Sequence, residues 1–192
     1  MRTIELERPV VGENLIGREE WVQRFIDNVV DKPKNVGAYQ YALTAPRRTG
    51  KTSILMETYD RLFYRRPAGD ALIPLFFNIE EILESAPIDS FPELYLLQLY
   101  SCIINFRLGK KVYSYDDLEM PEALELSKTH GFHDFLTRTL HMMEYDRSRG
   151  GFPAFRVVAL PGKISRETGQ AFAVFVDEVQ GALEIKEKKG PN

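Results

Sequence analysis

Gly50, Lys51 and Thr52 follow a short apolar run and open a longer amphipathic one. Those residue types in that order suit the gripping of a polyphosphate. Gly50 lets backbone amides approach phosphate oxygens, Lys51 supplies a point charge, Thr52 offers a hydroxyl to Mg²⁺, and the helix start adds its amides and dipole. With the residues before it the stretch reads "APRRTGKT", a variant of the Walker A loop G-x-x-x-x-G-K-[ST]. Ala45 stands where the first glycine would be, at a position whose backbone a β-carbon resists, and Pro46 stiffens the turn. The expected phosphate cradle is Pro46, Arg47, Arg48, Thr49, Gly50, Lys51 and Thr52, with Ser53 beside it.

A second stretch, "AFAVFVDEVQ" at residues 171–180, is an apolar run ending in two acids. That is the pattern of a Walker B strand. Asp177, at the carboxyl end of the strand, would join Thr52 in holding Mg²⁺, through water, and Glu178 would orient or deprotonate an attacking water. Alone, a strand ending in two solvated carboxylates is ordinary. Paired with the loop, it predicts an ATP site in which Lys51 and Glu178 carry the catalysis. GTP is disfavoured: "DEVQ" has no glycine in fourth place, and no N-K-x-D base reader occurs.

Periodicity supplies the elements that must position these residues. Trp21, Phe25, Ile26, Val29 and Val30 mark one face of a helix over residues 17–30, and "AYQYALT" reads as the short strand before the loop. Ile54, Leu55, Tyr59, Leu62 and Phe63 mark a helix over 51–64, and "ALIPLFFNI" a buried strand over 71–79. A mostly apolar helix is expected over 90–107, a short one around 122–127, and another over 132–145 that carries Phe132, Phe135, Leu136, Leu140, Met143 and Tyr145 into the core. "FRVVAL" and "AFAVFV", separated by "PGKISRETGQ", read as two further strands. Strands alternating with helices argue for an α/β fold with a mostly parallel sheet.

Composition narrows the function classes. The 192 residues carry 25 Lys and Arg against 28 Asp and Glu, a formal charge of -3 that gives no global field for nucleic acid. The patches at 107–111 and 184–189 lack interleaved aromatics and read as solvated surface. Cys102 is alone and lies in an apolar stretch, so it reads as a small buried hydrophobe. The first residues lack the apolar core of a signal peptide, and Leu94 to Phe106 falls short of the ~20 residues that span a bilayer. The expected protein is therefore cytoplasmic, without a membrane segment. His130 and His133 read as histidines at a helix entry, because no third ligand of suitable spacing accompanies them.

The blocks "NLIGREEWVQRFIDNV", "YALTAPRRTGKTSIL" and "VFVDEVQ", about a fifth of the chain and in this order, resemble the archaeal-type ATPase family of P-loop proteins, close to the AAA and STAND groups. Members of that family pair a "GRE" entry with "GPRRTGKTSLL" and "DEIQ". The resemblance implies a P-loop NTPase three-layer sandwich over residues 1–192 that binds Mg-ATP. By motif position it makes Gly17 and Arg18 part of the adenine-side entry, residues 46 to 52 the cradle, Asp177 the metal-side acid and Glu178 the catalytic one.

Such folds insert a sensor strand after the Walker B strand in the chain, yet only "GALEIKEKKGPN" follows here. Two buried sheet edges would then lack partners. The expectation is a sheet incomplete after Walker B, in a truncated copy whose sensor, arginine finger and lid lie beyond Asn192, unless "FRVVAL" fills the gap. Arg47 and Arg48 read as solvated loop arginines. The rival readings are a nucleotide-dependent switch that contacts a protein partner or itself, a folded remnant without nucleotide affinity, and a P-loop kinase, disfavoured by the water-activating Asp177 and Glu178 pair.

Overall fold

A computed structural model describes residues 11–12, 17–30, 43 and 49–178. These fall into two compact units, one within Met1–Gly69 and one within Asp70–Asn192. The expected strand "AYQYALT" lies outside the described residues apart from Leu43.

In the first unit α1 (Glu19–Val30) packs on α2 (Lys51–Arg65). Glu19 and Glu20 sit in the first turn of α1, where the helix dipole favours acids. Its buried residues are Val22 and Ile26, while Trp21 is 46% exposed. The observed face thus shares Ile26 with the expected one but takes in Val22 in place of Trp21. In α2, Ile54, Tyr59, Leu62 and Phe63 are buried as the periodicity requires, together with Glu57 and Thr58. The helix ends at Arg66, in the left-handed region at φ 44°, because Pro67 disfavours a helical residue before it.

Buried Glu57 needs an explanation, since carboxylates seldom lie inside unless paired. Its Oε2 accepts from the Gly12 amide at 2.6 Å and its Oε1 from Arg61 Nε at 2.7 Å. Burial pushes its pKa upward, but the Gly12 amide, Arg61 and the Arg65 charge together hold it below the ordinary 4.5. A depressed folded pKa stabilises the fold above the unfolded value and ceases to do so as pH falls through the folded one. Glu57→Gln is therefore expected to cost about 1–3 kcal/mol at neutral pH. In thermal melts the gap between variant and parent should close as pH drops below 4.5. A pH-independent gap would contradict this account.

The second unit contains β1 (Leu72–Asn78), α3 (Ile79–Ser85), α4 (Phe91–Leu108), α5 (Met120–His130), α6 (His133–Ser148), α7 (Ala154–Val158), α8 (Leu160–Thr168) and β2 (Ala171–Asp177). β1 and β2 pair in parallel, in register from Leu72 opposite Ala171 to Asn78 opposite Asp177. Among the described residues they form a two-stranded sheet. Pro74 and Phe76, two apart, send their backbone groups to one side of β1. Pro74 has no N–H to offer there, and the Phe76 carbonyl accepts from Gln98 Nε2 at 2.8 Å. On that edge one donor is missing and one acceptor is occupied, which disfavours the addition of a further strand there.

α4 is apolar on nearly every side and correspondingly buried. It covers β1, where Tyr95 stacks on Phe77 with ring centroids 4.1 Å apart and planes 3° from parallel. Cys102 is buried in this helix, and no described helix is long and apolar enough to cross a membrane. At the C-terminus of α4 the buried Asn105 ties down the next loop: its Nδ2 donates to the Tyr113 carbonyl, and its Oδ1 accepts from the Val112 and Tyr113 amides.

Two expectations are corrected here. "FRVVAL" is not a strand and cannot fill the sheet: residues 154–158 and 160–168 are helical, and so is most of the expected connection "PGKISRETGQ". Pro153 and Pro161 stand at the two helix starts, where a missing N–H costs nothing, and Val157, Leu160 and Ile164 are buried at helical spacing. Tyr145 is 52% exposed instead of in the core. Its hydroxyl accepts from Arg149 Nη1 at 2.6 Å, one turn along the exposed face of α6.

Candidate functional site

In the first unit the turn into α2 is built by Gly50, whose φ of 81° and ψ of 24° put it in the left-handed region. A β-carbon at Gly50 would be strained by that backbone although it would meet nothing within 4 Å. The glycine is thus required by backbone shape and not by crowding. Gly50 contributes no side-chain cap, and the first turn of α2 holds no acid. α1 and α3, by contrast, carry acids in their first turns, and α3 is capped by the Asn78 side chain, whose Oδ1 accepts from the Glu81 amide at 3.3 Å. An acid at the start of α2 would repel an anion. Lys51 and Thr52 are half-buried and Ser53 is buried in that turn.

The family resemblance makes Gly17 and Arg18 part of an adenine-side entry, and the structure gives Arg18 a contact with the residue before Gly50. Gly17 is an exposed turn residue at φ 72°. Arg18 Nη2 donates to the Thr49 carbonyl at 3.1 Å, joining the residue before α1 to the residue before Gly50. Pro46, Arg47 and Arg48 lie outside the described residues, as does Ala45.

In the second unit Asp177 closes β2 and is buried at 6% exposure. Its Oδ1 accepts from the Glu178 amide at 3.0 Å, whereas its Oδ2 has no hydrogen-bond partner among the described residues. Buried polar atoms are almost always paired, so an orphaned carboxylate oxygen at a strand's carboxyl end is an exception that makes Asp177 a candidate for binding. A water-coordinated divalent cation fits it, since the donor is hard and anionic. Glu178 is half-buried and adopts φ 51°, an uncommon conformation for a residue with a β-carbon. Such backbone strain gathers at functional sites.

Asn78 stands in register with Asp177 at the carboxyl end of the adjacent strand. Sequence reasoning did not single it out, because only the parallel pairing brings it there. His130 and His133 do not converge on a metal: His133 Nδ1 lies 2.9 Å from Ser127 Oγ and 3.1 Å from the Leu124 carbonyl. Among the described residues no group of three or more His, Cys, Asp or Glu could hold a metal ion. A cation at Asp177 would therefore take its remaining ligands from outside these residue types: a hydroxyl, water and the molecule it accompanies.

Comparison with known proteins found no family model, no curated protein and no solved structure that matches this chain.

Proposed function

We propose that this chain is an ATP-binding P-loop protein that binds Mg-ATP and hydrolyses it, with the output in a conformational change. The observation that carries the reading is the buried, partnerless Oδ2 of Asp177 at the end of β2. The acid-free start of α2 behind the left-handed Gly50 supports it. In this reading the roles follow motif position: Lys51 would neutralise the terminal phosphates, Thr52 and Asp177 are the residues that would serve Mg²⁺, and the Thr49 to Ser53 backbone would line the phosphates. Arg18 braces the loop through Thr49, and Glu178 orients the attacking water. Bound Mg²⁺ would supply charge for the phosphate oxygens. The three-layer sandwich is part of the same proposal, supported by the parallel pairing of β1 and β2.

A second reading, a nucleotide-dependent switch with little hydrolysis, is favoured by the Arg18 to Thr49 bond. Filling the loop would be felt directly at the start of α1, where a partner protein could read it. For either reading we propose the cytosol, on the strength of a single buried cysteine.

Asp177→Asn tests the metal role. The parent is expected to bind ATP more tightly with Mg²⁺ than with EDTA, and the variant to lose roughly 10–100-fold of that advantage, as when an outer partner of a metal is removed. An undiminished Mg²⁺ effect in the variant would remove Asp177 from the site.

A further inference from the structure

The chain from residue 154 to 168, folded as α7 and α8, makes a second candidate surface against α6. A cavity of about 180 Å³ lies among these helices, lined by Arg138, Arg156, Lys163 and Arg166 and by the apolar side chains of Met142 and Phe155. Typical ligand pockets hold about 300–1,000 Å³, so this one has room for one large side chain and not for a cofactor.

Two of the four cations are already committed. Arg138 Nη2 lies 3.2 Å from Glu167, and Arg156 is paired with Asp146. Lys163 and Arg166, three apart on α8, have no carboxylate partner among the described residues. Phe155 is 83% exposed and Met142 40% exposed. An aromatic side chain so open beside unpaired cations is the composition of a docking surface, with an apolar anchor and a charged rim.

We infer that this groove binds an acidic, amphipathic helical segment of a partner protein, seating an apolar side chain against Phe155 and Met142 and carboxylates on Lys163 and Arg166. Charge complementarity selects that occupant. Asp146 and Glu167 pair with two of the lining arginines and so leave only Lys163 and Arg166 to meet negative charge, too little for a continuous polyphosphate, whereas a peptide helix can place its carboxylates three or four residues apart, opposite these two cations. The chain's net charge of -3 likewise disfavours nucleic acid.

The test uses the full chain and a fluorescein-labelled 14-residue peptide with glutamates and leucines at helical spacing, read by anisotropy. The parent is expected to bind it saturably. The double variant K163E/R166E and, separately, Phe155→Ala should each weaken binding by roughly tenfold or more. Both changes are on the surface, so unchanged thermal melts confirm that the fold is kept. Four results would overturn the inference: no saturation at about 1 mM chain, where even a weak interface should register; equal binding by parent and double variant; a dT20 oligonucleotide bound as tightly as the peptide; or peptide displaced by self-association of the chain in sedimentation.

Discussion

Glu178→Gln is expected to slow ATP turnover by roughly 10²–10⁴-fold while leaving Mg-ATP binding in place, the loss usual for a general base or water-orienting group. The amide is nearly isosteric with the carboxylate, so the β2 terminus should keep its shape. The Glu178 backbone amide, held 3.0 Å from Asp177 Oδ1, is untouched by the change. What is lost is the negative charge that turns a water toward phosphate. Single-turnover measurement with radiolabelled ATP, beside equilibrium binding, separates the two readings of the site. If parent turnover is already negligible and the variant matches it, the switch reading replaces the hydrolase one.

The largest expected effect on stability is at Phe77. Its side chain is fully buried and stacks on Tyr95 of α4, and its strand neighbour across the sheet is Val176, next to Asp177. Phe77→Ala should destabilise the second unit by about 3–5 kcal/mol, because the apolar burial and the stacking are lost and a cavity remains. Urea unfolding followed by tyrosine fluorescence would read it. A loss below about 1 kcal/mol would mean that α4 can close over the gap, contrary to the packing described. Because β2 is held in register by β1, the same substitution should also weaken any ligand effect that depends on Asp177.

Much of the architecture follows from periodicity, and the places where it does not are instructive. β1 and β2 lie where the apolar runs "LIPLFFN" and "AFAVFVD" put them, and α4 follows from a run too apolar to face water. "FRVVAL" defeats the same argument because a six-residue run with five apolar residues, two of them valines, suits a buried strand or a buried helix equally. The deciding signal was the pair Pro153 and Pro161, each at a helix start. Reading "PGKISRETGQ" as a connection between two strands also hides the groove of Lys163, Arg166 and Phe155. Trp21 was misplaced because a large apolar residue outweighs Val22 in any reading by hydrophobicity, whereas packing against α2 selects Val22.

The candidate site was legible in part for a related reason. Gly50 to Thr52 and Asp177 with Glu178 are local patterns, legible from residue type at a helix start and a strand end. The Arg18 to Thr49 bond spans 31 residues, and Asn78 meets Asp177 only through strand pairing. Neither has a local signature. The partnerless Oδ2 is likewise a property of the folded environment, since any Asp after an apolar run looks the same in sequence.

Calorimetric titration of Mg-ATP into the purified chain, beside its Lys51→Ala variant, tests the central claim most directly. A lysine contact to a terminal phosphate is a charge-assisted hydrogen bond, whose removal should weaken binding roughly tenfold to a hundredfold. The account predicts saturable heat from the parent and that loss in the variant. Absence of heat from both, or equal affinity in both, would contradict it, leaving Gly50, Lys51 and Thr52 as a helix start that grips no phosphate.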